Sequence, residues 1–477
     1  MQVVFWDTRK LDASKDFAGG MGIGMFPPGG GLRGRLVRYF YTRDRRPTAL
    51  LFAYLAAIFR RLGHTVRYAE DRFLPGADLY VFNPSLVTLH LERQAIVRLL
   101  DQQPNVRVLV VGTVASVLPQ AFQMPGVTIV KGEAEQLLWK LDEVLARPDA
   151  TVQLGAIEDL DQLPFPDWSP FAPRRFRIAY DFSAFPTALI QASRGCTMKC
   201  DYCPYIVLEN SNRLRDPRAV VDEMEQGISR WGFRSFKFRD PLFGLDRAQT
   251  LHLADLIHRM PHKIQFSVET RIELMRPEVL RALRRAGLTS ITVGIETPAE
   301  ETLRNHHRVP VRDDRQRQFV ALCRSMGIRT VAGFLIGFPN DTQQSVRDVG
   351  HYAKLVGPTF ANFNVVTPYP GTEFAEASKD QINDFDYSRY TTFTPVMKYE
   401  HLTAQQLSEL HHWCARRFYF RWDYLRQNAH LLWPWLQKLG IGREPSETNA
   451  AQDPPIAPHH AARDPLTQKG LRHDKPH

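Results

Sequence analysis

Apolar positions along the chain follow two periods in turn. Val3-Val4-Phe5-Trp6 is a strand-length apolar run, and from Pro47 a helical period takes over at Leu50, Leu51, Tyr54, Leu55, Ile58, Phe59 and Leu62, stopped by Gly63. Residues 65–69 and 79–82 read as strands, residues 89–100 as a helix, and residues 106–111 and 127–130 as further strands before a helix over 133–145. The β-rich run 106–111, ending at Gly112, has the continuous apolarity of a central parallel strand. Five strands alternating with helices predict a doubly wound Rossmann-like α/β domain over residues 1–150.

Residues 151–186 break the pattern. Pro164, Pro166, Pro170, Pro173 and Pro186 oppose long helices there, so the segment reads as an extended connector whose aromatics pack on both neighbours. A second alternation follows, with strands at 188–191, 236–238, 264–268, 290–295, 330–336 and 361–366. Helices at 217–231, 246–260, 277–286, around 318–323 and at 345–356 separate the later strands. Six β/α units make a partial (β/α)6 barrel within residues 187–385, with functional groups expected at the C-terminal strand ends. Residues 386–440 read as a helical C-terminal region rich in aromatics and arginine, such as Arg416-Arg417-Phe418-Tyr419-Phe420-Arg421-Trp422 and Trp433-Pro434-Trp435. Packing on the barrel mouth is the plain reading of that region, and a cap or a peripheral contact with a lipid surface the sharper one. Residues 441–477 are polar, with Pro454, Pro455, Pro458 and Pro465 among them, and are expected to be a disordered tail.

Composition narrows the picture. With 477 residues, 44% hydrophobic and 23% charged, two or three ordinary globular domains are expected. No run of 18 apolar residues exists to span a membrane. The net charge of +10 is partly local, with Arg33, Arg35, Arg38, Arg43, Arg45 and Arg46 crowded together. No RNA-binding motif accompanies that charge, so a solvated surface is expected and no nucleic-acid partner. The glycines at 19–24 and 29–31 lack the G-x-G-x-x-G order, which leaves a loop. Five cysteines and no apolar leader point to a reducing cytoplasm.

The chemistry lies in Ser193-Arg194-Gly195-Cys196-Thr197-Met198-Lys199-Cys200-Asp201-Tyr202-Cys203-Pro204-Tyr205, where three of the five cysteines stand C-x3-C-x2-C. Thiolates that close on one loop can hold three irons of a [4Fe–4S] cluster and leave the fourth iron open. A structural zinc site would want a fourth ligand, for which His252, His258 or His262 are candidates. The rival from a different class is therefore a zinc-bearing, basic nucleic-acid-binding protein.

The cysteine spacing, with Tyr202 just before the last cysteine, resembles the radical S-adenosylmethionine (SAM) family. That resemblance implies a cluster on Cys196, Cys200 and Cys203 whose open iron binds SAM and cleaves it to a 5′-deoxyadenosyl radical. It also implies a SAM pocket made from successive strand ends. Asp240 would accept from the SAM amino group although the family's Gly-Gly is missing, and Glu269 and Arg271 would contact SAM or pair with each other. Glu296 would hold the ribose hydroxyls, and Arg308 would pair with the SAM carboxylate or sit on the surface. Gly333 and Gly337 would let the adenine lie flat. The order of the N-terminal elements, with Lys131-Gly132-Glu133-Ala134-Glu135, is similar to the cobalamin-binding domain of one large radical SAM class. The D-x-H-x-x-G motif that supplies a lower cobalt ligand is absent, and His64 and His90 stand in the wrong contexts. The resemblance implies either cobalamin bound without a histidine or a domain that has lost the cofactor; with the first, it implies a methyltransferase acting at an unactivated carbon of a small-molecule, lipid or peptide substrate. Ring closure or oxidation without methylation is the runner-up. A flavodoxin or ferredoxin type of reductase would donate the electron. Methylthiotransferases are disfavoured, because their second set of three cysteines is missing before Cys196.

Overall fold

In the computed structural model, which describes residues 1–8, 15, 47–178, 184–206 and 211–428, the opening apolar run is strand β1 (Gln2–Asp7), with Val3, Val4 and Phe5 fully buried. It pairs in parallel with β2 (Thr65–Glu70) and β3 (Leu79–Phe82), which is followed by β4 (Arg107–Val110), β5 (Val127–Lys131) and β6 (Thr151–Gln153). The order β2-β1-β3-β4-β5-β6 reverses beside β1, and such a reversal opens a crevice beyond the strands' C-terminal ends. Helices α1 (Leu50–Arg61), α2 (Leu89–Gln102), α3 (Thr113–Val117) and α4 (Leu137–Leu145) supply the crossovers. One correction falls at the boundary: β6 comes from the expected connector and makes a sixth strand. Its three residues are too short to show a period.

The connector's aromatics do pack both ways. Phe171 stacks 6.3 Å from Phe5, which itself stacks on Phe52, while Trp168 meets Phe233 edge-on at 6.2 Å.

The second sheet is wholly parallel, in the order β14-β13-β12-β11-β10-β7. Its strands are β7 (Thr187–Ile190), β10 (Ser235–Phe238), β11 (Gln265–Thr270), β12 (Leu288–Glu296), β13 (Arg329–Ile336) and β14 (Phe360–Val365). A two-residue antiparallel ribbon, β8 (Ser193–Arg194) with β9 (Arg213–Leu214), follows β7. Strands β7 and β14 do not pair, so the barrel is open. Its helices are α5 (Pro217–Trp231), α6 (Arg247–Arg259), α7 (Pro277–Ala286), α8 (Glu300–Asn305), α9 (Asp313–Ser325), α10 (Gln343–Val356) and α11 (Glu373–Ala377). Local chemistry sets their limits: Asp216 caps α5 ahead of Pro217, and Gly232 ends it in the left-handed region.

Helix α12 (Ala404–Tyr419) starts on a capping box, Thr403 with Gln406, and buries Leu407, Leu410, Cys414 and Phe418. The C-terminal aromatics therefore divide, since Phe418 is core while Phe420 and Trp422 are 75% and 85% exposed. No helix among the described residues is long and apolar enough to cross a membrane. The glycine-rich stretch, the arginine cluster at 33–46, Trp433, Trp435 and the tail at 441–477 lie outside the described residues.

Candidate functional site

The three cysteines sit on the segment that leaves the barrel after β8 and returns through β9. Cys196 and Cys200 are buried, Cys203 is half-buried, and none is in a disulfide. Gly195 opens the segment at φ +79°, with Ser211's carbonyl so close that an added Cβ would stand 1.8 Å from it. Below, Asp240 is fully buried and accepts from the Ala192 amide at 3.1 Å and the Ser193 hydroxyl at 2.6 Å. Burial pushes its carboxyl up to about 6, against the pull of these donors. Asp240 thus holds the neck of the cysteine segment, and its oxygens are engaged there.

Around the cysteines lie paired charges from successive strand ends. Glu296, at φ +72°, folds back over Gly294 and meets Arg308 at 3.2 Å. Arg308 also donates to the Gly294 carbonyl at 2.5 Å and stands 4.0 Å from the Cys200 sulfur. Its side chain is 12% exposed, which removes the surface-arginine alternative. Burial raises the Glu296 carboxyl although Arg308 and Arg271 pull it down. Glu269 and Arg271 do not pair with each other. Glu269 takes Arg239 at 2.6 Å and Lys237 at 3.3 Å, and Arg271 takes Glu273 at 2.5 Å and the Val309 carbonyl. Burial alone would raise the Glu269 carboxyl, but Arg239 and Lys237 outweigh it and hold it below its usual value.

Tyr202 packs edge-on against His306 and Phe338, and burial raises its hydroxyl well above the usual range. His306 stacks on Phe338 at 4.6 Å and meets Asp201 at 2.9 Å. A Cβ at Gly333 would have only ordinary contacts, at 3.9 Å or more, so β13 leaves room above it. Gly337 differs: at φ +80° its added Cβ would stand 2.6 Å from Leu407, so this glycine serves the turn and the packing of α12. Of the candidate zinc histidines, His258 is exposed and its Nδ1 lies 3.1 Å from the Arg285 carbonyl. Among the described residues, no three His, Cys, Asp or Glu side chains converge on a single-ion site.

Beyond the C-terminal ends of the first sheet lies a crevice of roughly 760 Å³, counting the solvent at its mouth. Asn83, Gly112 and Gly132 follow β3, β4 and β5 there, Tyr54 comes from α1, and Gln191, Arg194 and Arg239 face them from the barrel. Among the described residues that line it there is no histidine. Arg194, Arg213, Lys237, Arg239 and His306 are site neighbours to which sequence reasoning gave no role. Lys237, a lysine inside the otherwise apolar strand 236–238, is the one signal that could have marked any of them.

Residues 190–353 match the model of the radical SAM superfamily. An anaerobic magnesium-protoporphyrin IX monomethyl ester cyclase of Cereibacter sphaeroides is 28% identical over 62% of this chain and 46% of its own length. The chain thus spans about half of that curated relative. A hopanoid C-3 methylase of Methylococcus capsulatus is 26% identical over 70% of this chain and 69% of its own. Among solved structures, the cobalamin-dependent SAM radical enzyme OxsB, with aqua-cobalamin and SAM bound, aligns with a TM-score of 0.63 at 13% identity, over 93% of this chain and 69% of that one. At that identity the likeness is one of fold.

Proposed function

Because residues 190–353 form a domain of the radical SAM superfamily, we propose that this chain is a cobalamin-dependent radical SAM methyltransferase acting at an unactivated carbon. The observation that carries the reading is the position of the crevice, which shares Arg194 with the neck of the three-cysteine segment. Three free thiols on one segment fit a [4Fe–4S] cluster, and a crevice at a reversal in strand order, with no histidine among the described residues that line it, fits a corrinoid without a protein ligand below its cobalt. When bound, these groups with SAM supply a 5′-deoxyadenosyl radical and a transferable methyl group.

The chain's residues then have separable tasks. Cys196, Cys200 and Cys203 hold the cluster, and Arg308 keeps a positive charge beside Cys200. Glu296 and Arg308 present one acceptor and one donor to SAM's ribose and carboxylate, Arg271 and Glu269 border the same space, Tyr202 walls it, and Gly333 leaves β13 bare for a purine. Asp240 and Gly337 act from behind, by holding the backbone that carries the others. A small-molecule, lipid or peptide substrate enters between the crevice and the cysteines, and a cytoplasmic flavodoxin or ferredoxin delivers the electron. The cyclase among the relatives favours a second reading, radical ring closure or oxidation without methyl transfer.

The test is made on anaerobically purified, cluster-reconstituted protein supplied with hydroxocobalamin and desalted. Iron, sulfide and cobalt analysis with absorbance spectra should give about four irons and stoichiometric cobalt, and isotopically labelled SAM should pass its methyl group to substrate. Cobalt without methyl transfer would favour the second reading. Iron without cobalt would sink cobalamin-dependent methylation, and zinc instead of iron would overturn the assignment.

A further inference from the structure

The two strands of the β8–β9 ribbon are gripped by one acidic pair from the other sheet. Arg194 and Arg213 stand opposite each other in that ribbon, Arg194 immediately before Gly195-Cys196 and Arg213 where the segment returns. Glu133 and Glu135 follow β5 and Gly132. Arg213 donates both Nη atoms to Glu133, at 2.7 and 3.0 Å, and also reaches the Ile157 carbonyl at 2.7 Å. Arg194 donates to Glu135 at 2.7 Å, lies 3.7 Å from Glu133, takes Gln191 with its Nε at 3.1 Å, and sits over the Tyr54 ring at 5.4 Å. The side chains of Arg194, Arg213, Glu133 and Glu135 are 11%, 11%, 10% and 7% exposed. Two cations face two anions out of water, where a planar fork and a carboxylate fix geometry as well as charge.

Three of these residues, Glu133, Glu135 and Arg194, also line the crevice. The wall of the crevice and the neck of the cysteine segment are therefore one hydrogen-bonded unit, with Asp240 holding the same neck from the barrel side. We propose that Glu133 and Glu135 are positioning residues, which act through Arg213 and Arg194 to set the cysteine segment against the occupant of the crevice. The proposal rests on the cobalamin and cluster reading above. Binding at the crevice and the electronic state of the cluster then become linked, and linkage runs equally in both directions.

The full-length chain, cluster-reconstituted, is compared with Glu135→Gln and Glu135→Asp. The readouts are iron content, the electron paramagnetic resonance spectrum and midpoint potential of the reduced cluster with and without hydroxocobalamin, and the dissociation constant of hydroxocobalamin. Glu135→Gln should keep its iron, weaken hydroxocobalamin binding about fivefold or more, and lose the cobalamin-induced change in spectrum and potential. Glu135→Asp, which keeps the charge, should recover part of both. If Glu135→Gln does not fold, Arg213→Lys, which keeps the charge but loses the fork, is put through the same comparison. Wild-type linkage that persists unchanged in these variants would overturn the proposal and leave a structural ion pair. Wild-type protein that takes no hydroxocobalamin would instead defeat the functional reading. The inference would then stand or fall on whether Glu135→Gln alters the cluster spectrum by itself.

Discussion

Gly195→Ala is a perturbation whose cost can be worked from two local measurements. At φ +79° any residue with a Cβ is strained by roughly 1–2 kcal/mol. The added methyl would also stand 1.8 Å from the Ser211 carbonyl oxygen and 2.7 Å from its carbon. A tolerable carbon–oxygen contact is about 3.3 Å, so one backbone must retreat by about 1.5 Å. Gly195 adjoins Cys196, and a constructed site tolerates only about 0.5 Å of displacement. Gly195→Ala should therefore lose most of its iron on reconstitution as well as stability. Gly232→Ala is the control, with φ +72° but nothing within 4 Å of the new Cβ. It should show the backbone strain alone, about 1–2 kcal/mol, and keep its iron. Iron and sulfide per chain and urea-unfolding midpoints are measured on both. A Gly195→Ala protein with full iron and a midpoint no lower than that of Gly232→Ala would refute the reasoning.

Three further outcomes are expected. The Asp240 carboxyl, raised from 3.8 to about 6, favours its neutral form in the folded chain. Its contribution is present in full below about pH 4 and lost as pH rises through about 6, a change of about 3 kcal/mol. The pH dependence of unfolding free energy should therefore differ between wild type and Asp240→Asn across that window, and parallel curves would count against the buried site. Phe5→Ala, which removes a fully buried ring stacked on Phe52 and Phe171, should cost about 3–5 kcal/mol in urea unfolding. Tyr202→Phe removes a buried hydroxyl that has no hydrogen-bond partner among the described residues, so the unfolding midpoint should hold or rise, and a fall would point to a partner for that oxygen.

Much of this architecture was legible because it depends on period and on neighbours in the chain. The six barrel strands and the cysteine segment follow from apolar runs and from spacing, and both are local signals. What escaped was long-range. Glu269 and Arg271 are two residues apart and were expected to contact SAM or to pair with each other, yet register brings Lys237 of the adjacent strand, and Arg239 just past its end, to Glu269. Gly333 and Gly337 read alike as room for a flat ligand, but Leu407, seventy residues beyond Gly337, fills the space at the second. Asp240 was expected to face a ligand, and its partners prove to be the backbone and hydroxyl nearly fifty residues earlier. Pairings of this kind are set by tertiary packing, and no local pattern encodes them.

The strand contributed by Thr151–Gln153 bears on how the chain can be divided. A fragment ended at residue 150 would bare the side of Val127–Lys131, an apolar ribbon with open amides and carbonyls that invites intermolecular pairing. Ile157, Leu160, Trp168 and Phe171 would also be removed from the interior they share with Phe5. A soluble excised half should therefore run at least through Ile178. By the same reasoning, natural exchange of the N-terminal half between enzymes of this build would have to carry the proline-rich crossing along with it.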